Sequence, residues 1–175
     1  VRASKINRWF LLALVLLVAL VGCRSVPATT TPAVSGVNVS ISMVNPNVKS
    51  GDAFTVDVVI NSNVILRGAQ CALSFDPVLM QCDRVVEGNF FKDWAADNDS
   101  STIMVPQPVI DNKKGYVSDI GIAIMGTKEG GVKGSGVVCT YYFTAQADGV
   151  AKPTLSNVLL SDENGKVFPA TGGSK

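Results

Sequence analysis

The chain has 175 residues, 47% of them hydrophobic, and its 15 basic and 14 acidic side chains leave a net charge of +1. It contains no histidine, which excludes Ser-His and Cys-His catalytic pairs and histidine-ligated metal sites. No basic block follows the first residues, which argues against a nucleic-acid surface, where lysine and arginine cluster.

At the N-terminus Arg2, Lys5 and Arg8 precede a run from Trp9 to Val21 without a polar side chain. Crossing a bilayer takes about 20 apolar residues. This run is shorter, as in the apolar region of an export signal. Leu20-Val21-Gly22-Cys23 follows and resembles the lipobox of bacterial lipoproteins, in which the cysteine sulfur takes a diacylglycerol before cleavage. The expectation is a lipoprotein signal peptide over 1–22 and a lipidated Cys23. Because two or three acyl chains anchor a protein stably, the chain would sit on the extracytoplasmic face of the cell membrane. Residues 24–36 are rich in Thr, Ser, Ala and Pro and cannot bury enough to offset their ordering entropy. With Cys23 they read as a flexible linker over 23–36.

From Val37 the pattern has period two. Val37, Val39, Ile41 and Met43 alternate with Asn38, Ser40 and Ser42. Phe54 to Ile60 predicts a second strand, broken by Asn61-Ser62-Asn63. A third runs from about Leu66 to Phe75, with Ala69, Cys71, Leu73 and Phe75 inward and Gly68, Gln70, Ala72 and Ser74 outward. A fourth covers about Met80 to Val86. Residues 89–112 hold the aromatics Phe90, Phe91 and Trp94, a polar loop from Asp93 to Ser101, and Pro106 and Pro108, which demote that segment to an edge strand or loop. Tyr116 to Met125 predicts a strand with Tyr116, Ser118, Ile120, Ile122 and Ile124 on one face. Val117, Asp119, Gly121, Ala123 and Met125 take the other. Gly126 to Gly136 reads as a mobile connection, Val137 to Ala147 as a long strand, Thr154 to Leu160 as a further one and Val167-Phe168 as a last short one. Many short strands punctuated by turn residues predict an all-β, two-sheet β-sandwich of jelly-roll topology over 37–170, followed by a disordered tail over 171–175.

Several segments together resemble the cohesin family. They are Arg67-Gly68-Ala69-Gln70-Cys71-Ala72-Leu73-Ser74-Phe75-Asp76-Pro77 and Val86-Glu87-Gly88-Asn89-Phe90-Phe91. Gly134-Ser135-Gly136 leading into Val137 to Ala147, and Leu155-Ser156-Asn157-Val158 running on to Ser161-Asp162-Glu163-Asn164-Gly165, complete the set. The resemblance implies about nine strands and a binding module; the absence of histidine, of a metal cluster and of a convincing carboxylate pair leads to the expectation of no enzyme activity. The resemblance also implies a partner: a dockerin, a small calcium-loaded module of another secreted protein. The chain itself would need no cofactor, the calcium belonging to the partner. Docking would use the outer face of the sheet containing strands three, five, six and eight, here Gly68, Gln70, Ala72, Ser74, Val117, Asp119, Gly121, Ala123 and Met125. As a single copy with a lipid anchor, the chain resembles cohesins that anchor cellulosomes, although Gln70 stands where dockerin binders often carry an acidic group.

A second reading is a carbohydrate-binding lipoprotein that holds polysaccharide at the cell surface, with Tyr142 and Trp94 as candidate sugar-stacking rings. Cys71 and Cys139 fall inward on strands that the resemblance makes neighbours. They are a candidate disulfide, with buried thiols as the favoured alternative. Asp93, Asp97 and Asp99 lie close together but lack the glycine and terminal glutamate of a calcium loop, so no metal site is expected.

Overall fold

The computed structural model describes residues 36–170 and 172–174. The expected signal peptide, Cys23 and the linker up to residue 35 lie outside the described residues. In chain order the elements are β1 (Val37–Ser42), β2 (Asn47–Val48), β3 (Ala53–Ser74), β4 (Met80–Glu87), α1 (Asn89–Asp97), β5 (Ser101–Met104) and β6 (Ile110–Asp111). They continue with β7 (Tyr116–Met125), β8 (Val132–Ala145), β9 (Gly149–Val150), β10 (Thr154–Asp162), β11 (Val167–Pro169) and β12 (Gly172–Ser174).

These strands form two layers. Sheet I has the order β12–β1–β3–β8–β4, and sheet II the order β11–β10–β3–β7–β5, with β6 pairing the start of β7. A separate ribbon joins β2 to β9. The expected sandwich is thus observed, with more strands than nine because several are only two to four residues long. Gly172–Ser174 pairs in parallel with β1, where the sequence predicts a disordered tail. The edge of β1 away from β3 offers its backbone groups, and an extended glycine-rich segment can take them up.

Strand β3 belongs to both sheets. Its first half pairs with β1 and β8, its second half with β10 and β7. The predicted break at Asn61-Ser62-Asn63 is instead the crossing between layers. Pairing with β8 shifts between Ser62 and Leu66. There the buried Ser62 hydroxyl donates to the Val64 carbonyl at 2.7 Å and accepts the Val64 N–H at 3.0 Å, so the interrupted ladder leaves these groups paired.

Between the layers, Val39, Val56, Val58, Ile60, Tyr141 and Phe143 of sheet I meet Cys71, Leu73, Val117, Ile120, Ile122 and Leu160 of sheet II in one core. Phe143 stacks on Phe54 and takes the edge of Phe75.

The helix α1 corrects the expected loop. Phe90, Phe91 and Ala95 are buried, and the spacing of Phe91 and Ala95 is one helical turn. Gly88 lets the chain enter the helix against β8, since a Cβ there would stand 2.2 Å from the Val137 carbonyl oxygen. The Asn98 amide closes the other end by donating to the Trp94 carbonyl. The expected mobile connection is also tied down. Val132–Ala145 is all strand, and Arg67 donates to the carbonyls of Lys128 and Gly130 at 2.6 and 2.7 Å.

Candidate functional site

The outer face of sheet II is built in rows across the strands. In one row Gly68 of β3 stands between Ala123 of β7 and Ser161 of β10, and Ile103 of β5 lies beyond Ala123. In the next, Gln70 stands between Gly121 and Leu159, and the Val105 N–H donates to the Gly121 carbonyl. The floor of these rows is small. The rims are apolar and open: Ile103 is 42% exposed, Val105 56% and Val167 58%. Together they outline a shallow groove of about 240 Å³. Gly121 is required by close approach, because a Cβ there would stand 2.6 Å from the Val105 carbonyl oxygen.

The following row is polar. Pairing shifts on both flanks of β3 at the same level, between Cys71 and Leu73 toward β7 and between Ser156 and Leu159 toward β10. Such irregularities re-aim side chains. Here Asn157, held at φ 51°, donates its amide to Asp119 Oδ2 at 3.4 Å. Since Asn157 and Asp119 sit on the strands flanking β3, this bond crosses β3 near Ala72. The last row holds Ser74 between Tyr116 and Thr154.

Of the residues expected on this face, Gly68, Gln70, Ser74, Asp119, Gly121, Ala123 and Met125 are assembled there. Two expectations are corrected. Val117 is fully buried in the core, because the extra residue at Ser118-Asp119 reverses the in–out alternation toward the start of β7. Ala72 is also 0% exposed; it lies at the level where the strand pairings shift, closed off from any partner. The rim residues Ile103, Val105, Leu159 and Val167 were not legible in the sequence. Ile103 and Val105 lie in a short proline-bounded segment, and only its pairing with β7 brings them to the groove. For Val167 and Leu159 the signal available was the hairpin turn at Asp162 to Gly165, which folds β11 back on β10.

The two candidate sugar-stacking rings, Tyr142 and Trp94, lie on different elements, β8 and α1. Tyr142 lies on the outer face of sheet I, and the Arg84 guanidinium covers its ring at 3.7 Å. Trp94 is on α1, half-buried, with the Arg67 guanidinium 5.9 Å from its ring centre. Asp93 and Asp97 lie on α1 and Asp99 beyond it; among the described residues no acidic or cysteine cluster fit for a metal ion is assembled.

Cys71, Cys82 and Cys139 are buried free thiols in this structure. Cys71 pairs with Ile120 in sheet II and Cys139 with Val58 in sheet I. The two residues therefore face each other across the core, because Cys71 lies on the half of β3 that has left β8 for the other sheet. The Cys71 thiol lies 3.8 Å from the Tyr141 hydroxyl. The hydrogen bond with Cys71, and then burial, hold the Cys139 thiol well above the usual range. Burial pushes Cys82 from its ordinary 9.0 up to about 12.

No family model and no curated protein matches the chain by sequence. Solved structures match it by shape. A chain of a type II cohesin–X-dockerin complex from Acetivibrio cellulolyticus is 12% identical, with a TM-score of 0.63 over 79% of this chain and 95% of that one. A non-cellulosomal cohesin from the hyperthermophilic archaeon Archaeoglobus fulgidus is 16% identical, with a TM-score of 0.58 over 80% of this chain and 88% of that one. A type I cohesin–dockerin complex from Clostridium thermocellum contains a chain 16% identical, with a TM-score of 0.55 over 82% of this chain and 93% of that one. At such identities the likeness is one of fold: the domain has the cohesin fold.

Proposed function

We propose that the domain is a non-catalytic binding module that docks a dockerin-type module of another secreted protein on the outer face of sheet II. The observation that carries this reading is the groove itself. A floor of Gly68, Gln70, Gly121 and Ala123 lets a helix backbone approach closely, and exposed Ile103, Val105 and Val167 offer apolar contact on both sides. An amphipathic helix laid in an apolar groove is a common mode of peptide recognition. Solved chains of the same fold occur in complexes with dockerins, which supports the choice of partner. Calorimetric titration with calcium-loaded dockerins of the same organism tests it. Binding is expected, and a chelator should abolish it by unloading the partner. If no dockerin binds, the reading fails.

In the same reading Cys23 carries the lipid anchor, and the domain is displayed on the extracytoplasmic face of the cell membrane. Labelled palmitate should enter the protein in bacterial cells, and Cys23→Ala should stop it. Incorporation that survives the substitution would refute the anchor.

A further inference from the structure

The polar row at one end of the groove has a feature that docking by apolar contact does not use. Asp119 Oδ1 is screened from solvent and makes no hydrogen bond among the described residues. Oδ2 has only the long contact with the Asn157 amide, in an exposed position. The one ion pair among the described residues joins Lys114 to Asp111, so no lysine or arginine among them neutralises Asp119. A carboxylate that has lost water at one oxygen without gaining a donor carries an under-compensated charge. Its remaining open side attracts a cation more strongly than a fully hydrated carboxylate does, because part of its surroundings is low in dielectric.

The backbone is arranged to produce this. Irregular pairing on both sides of β3 brings Asp119 and Asn157 together at the level of Ala72. Asn157 adopts a left-handed φ of 51° to do so, a conformation few non-glycine residues occupy. The Asp119 carboxylate is thereby held one row beyond Gly121, where the apolar part of the groove ends.

We propose that the partner's docking helix carries a lysine or arginine that pairs with Asp119 at the polar end of the groove, and that this pair selects among partners. The proposal rests on the docking reading above and specifies the chemistry of the partner: an apolar stripe for the rims, and a basic residue past one end of it. A charge pair at an interface edge acts on partner choice by disfavouring neutral and acidic alternatives.

The test uses a displayed library built on a calcium-loaded dockerin-type helix–loop–helix, randomised on its exposed helix face and selected in parallel on the full chain and its Asp119→Asn and Ile103→Asp variants. The expected result is enrichment of lysine or arginine at one helix position on the unmodified chain. That enrichment should vanish on Asp119→Asn, to which the selected binders should bind about tenfold more weakly. Asp119→Lys should instead select glutamate or aspartate at that position. Binders that need Ile103 but show no basic preference, and bind Asp119→Asn equally, would overturn this proposal and leave the docking reading standing. No binders at all, or binders indifferent to Ile103→Asp, would overturn both.

Discussion

On the outer face of sheet I several polar side chains find partners within the chain. Thr140 donates to Asp57 at 2.6 Å, Thr144 donates to Asp83 at 2.8 Å, and Arg84 covers the Tyr142 ring. The outer face of sheet II is arranged differently. Its floor is glycine and alanine, its rims are exposed Ile103, Val105 and Val167, and its carboxylate at Asp119 keeps one oxygen unpaired. Both faces come from the same strand, β3, and cover the same core. The difference therefore does not follow from strand geometry or overall composition. Sheet I ties several of its outer side chains to one another and exposes Val86, whereas sheet II gathers Ile103, Val105 and Val167 around one groove.

The largest expected effect is on binding. Ile103→Asp, at an exposed rim position where folding tolerates a charge, should weaken dockerin binding at least a hundredfold, about 2.7 kcal/mol. Tyr142→Ala on the opposite face should change it by less than twofold in the same titration. Equal losses from both would break the distinction between the faces.

Stability should respond in the opposite sense. Thr140→Val removes the donor from half-buried Asp57, and chemical denaturation should show a loss of about 1 to 3 kcal/mol. Asp119→Asn removes a charge that the fold leaves poorly compensated, and it should leave stability unchanged or raise it slightly. A clear loss there would mean that Asp119 serves the fold rather than a partner.

The smallest effect concerns the core the two faces share. Cys82, with a folded value of about 12 against an ordinary 9.0, stays protonated where the unfolded chain ionises. Burial acts in the same direction on Tyr141, whereas the bond shared by Cys71 and Cys139 lowers the first thiol and raises the second, so the extra protons are those of Cys82 and Tyr141. The folded state then binds more protons, so this contribution is complete below pH about 9 and is lost as pH rises toward 12. Urea unfolding should show lower stability at pH 10.5 than at pH 8, with a smaller drop in Cys82→Ala. An equal drop in that variant would contradict the assignment to Cys82.

Strands whose alternation runs unbroken were legible in the sequence. Strand β1 begins at the predicted residue, and β7 matches its predicted bounds at both ends. Alternation carries no sign of an inserted residue, however. The irregularity at Ser118-Asp119 moved Val117 from the expected surface to the core, and the level of Ala72 closed it off. Helix α1 was not legible because nine residues hold too few turns for a clear period, and Gly88 caps it without a side chain. The continuity of β3 was hidden because Asn61-Ser62-Asn63 resembles a turn, while the Ser62 hydroxyl lets the strand continue. The face as a whole was legible through the cohesin resemblance. Its apolar rims were not, because they depend on which short strands come to lie beside β7 and β10.

The most direct test of the docking account is to map the contact by NMR chemical-shift perturbation of the labelled chain on titration with a calcium-loaded dockerin. The account predicts that the perturbed amides cluster at Gly68, Gln70, Ile103, Asp119, Gly121 and Ala123, with Arg84 and Tyr142 unmoved. Perturbations centred on Arg84, Tyr142 and Thr144 would contradict it.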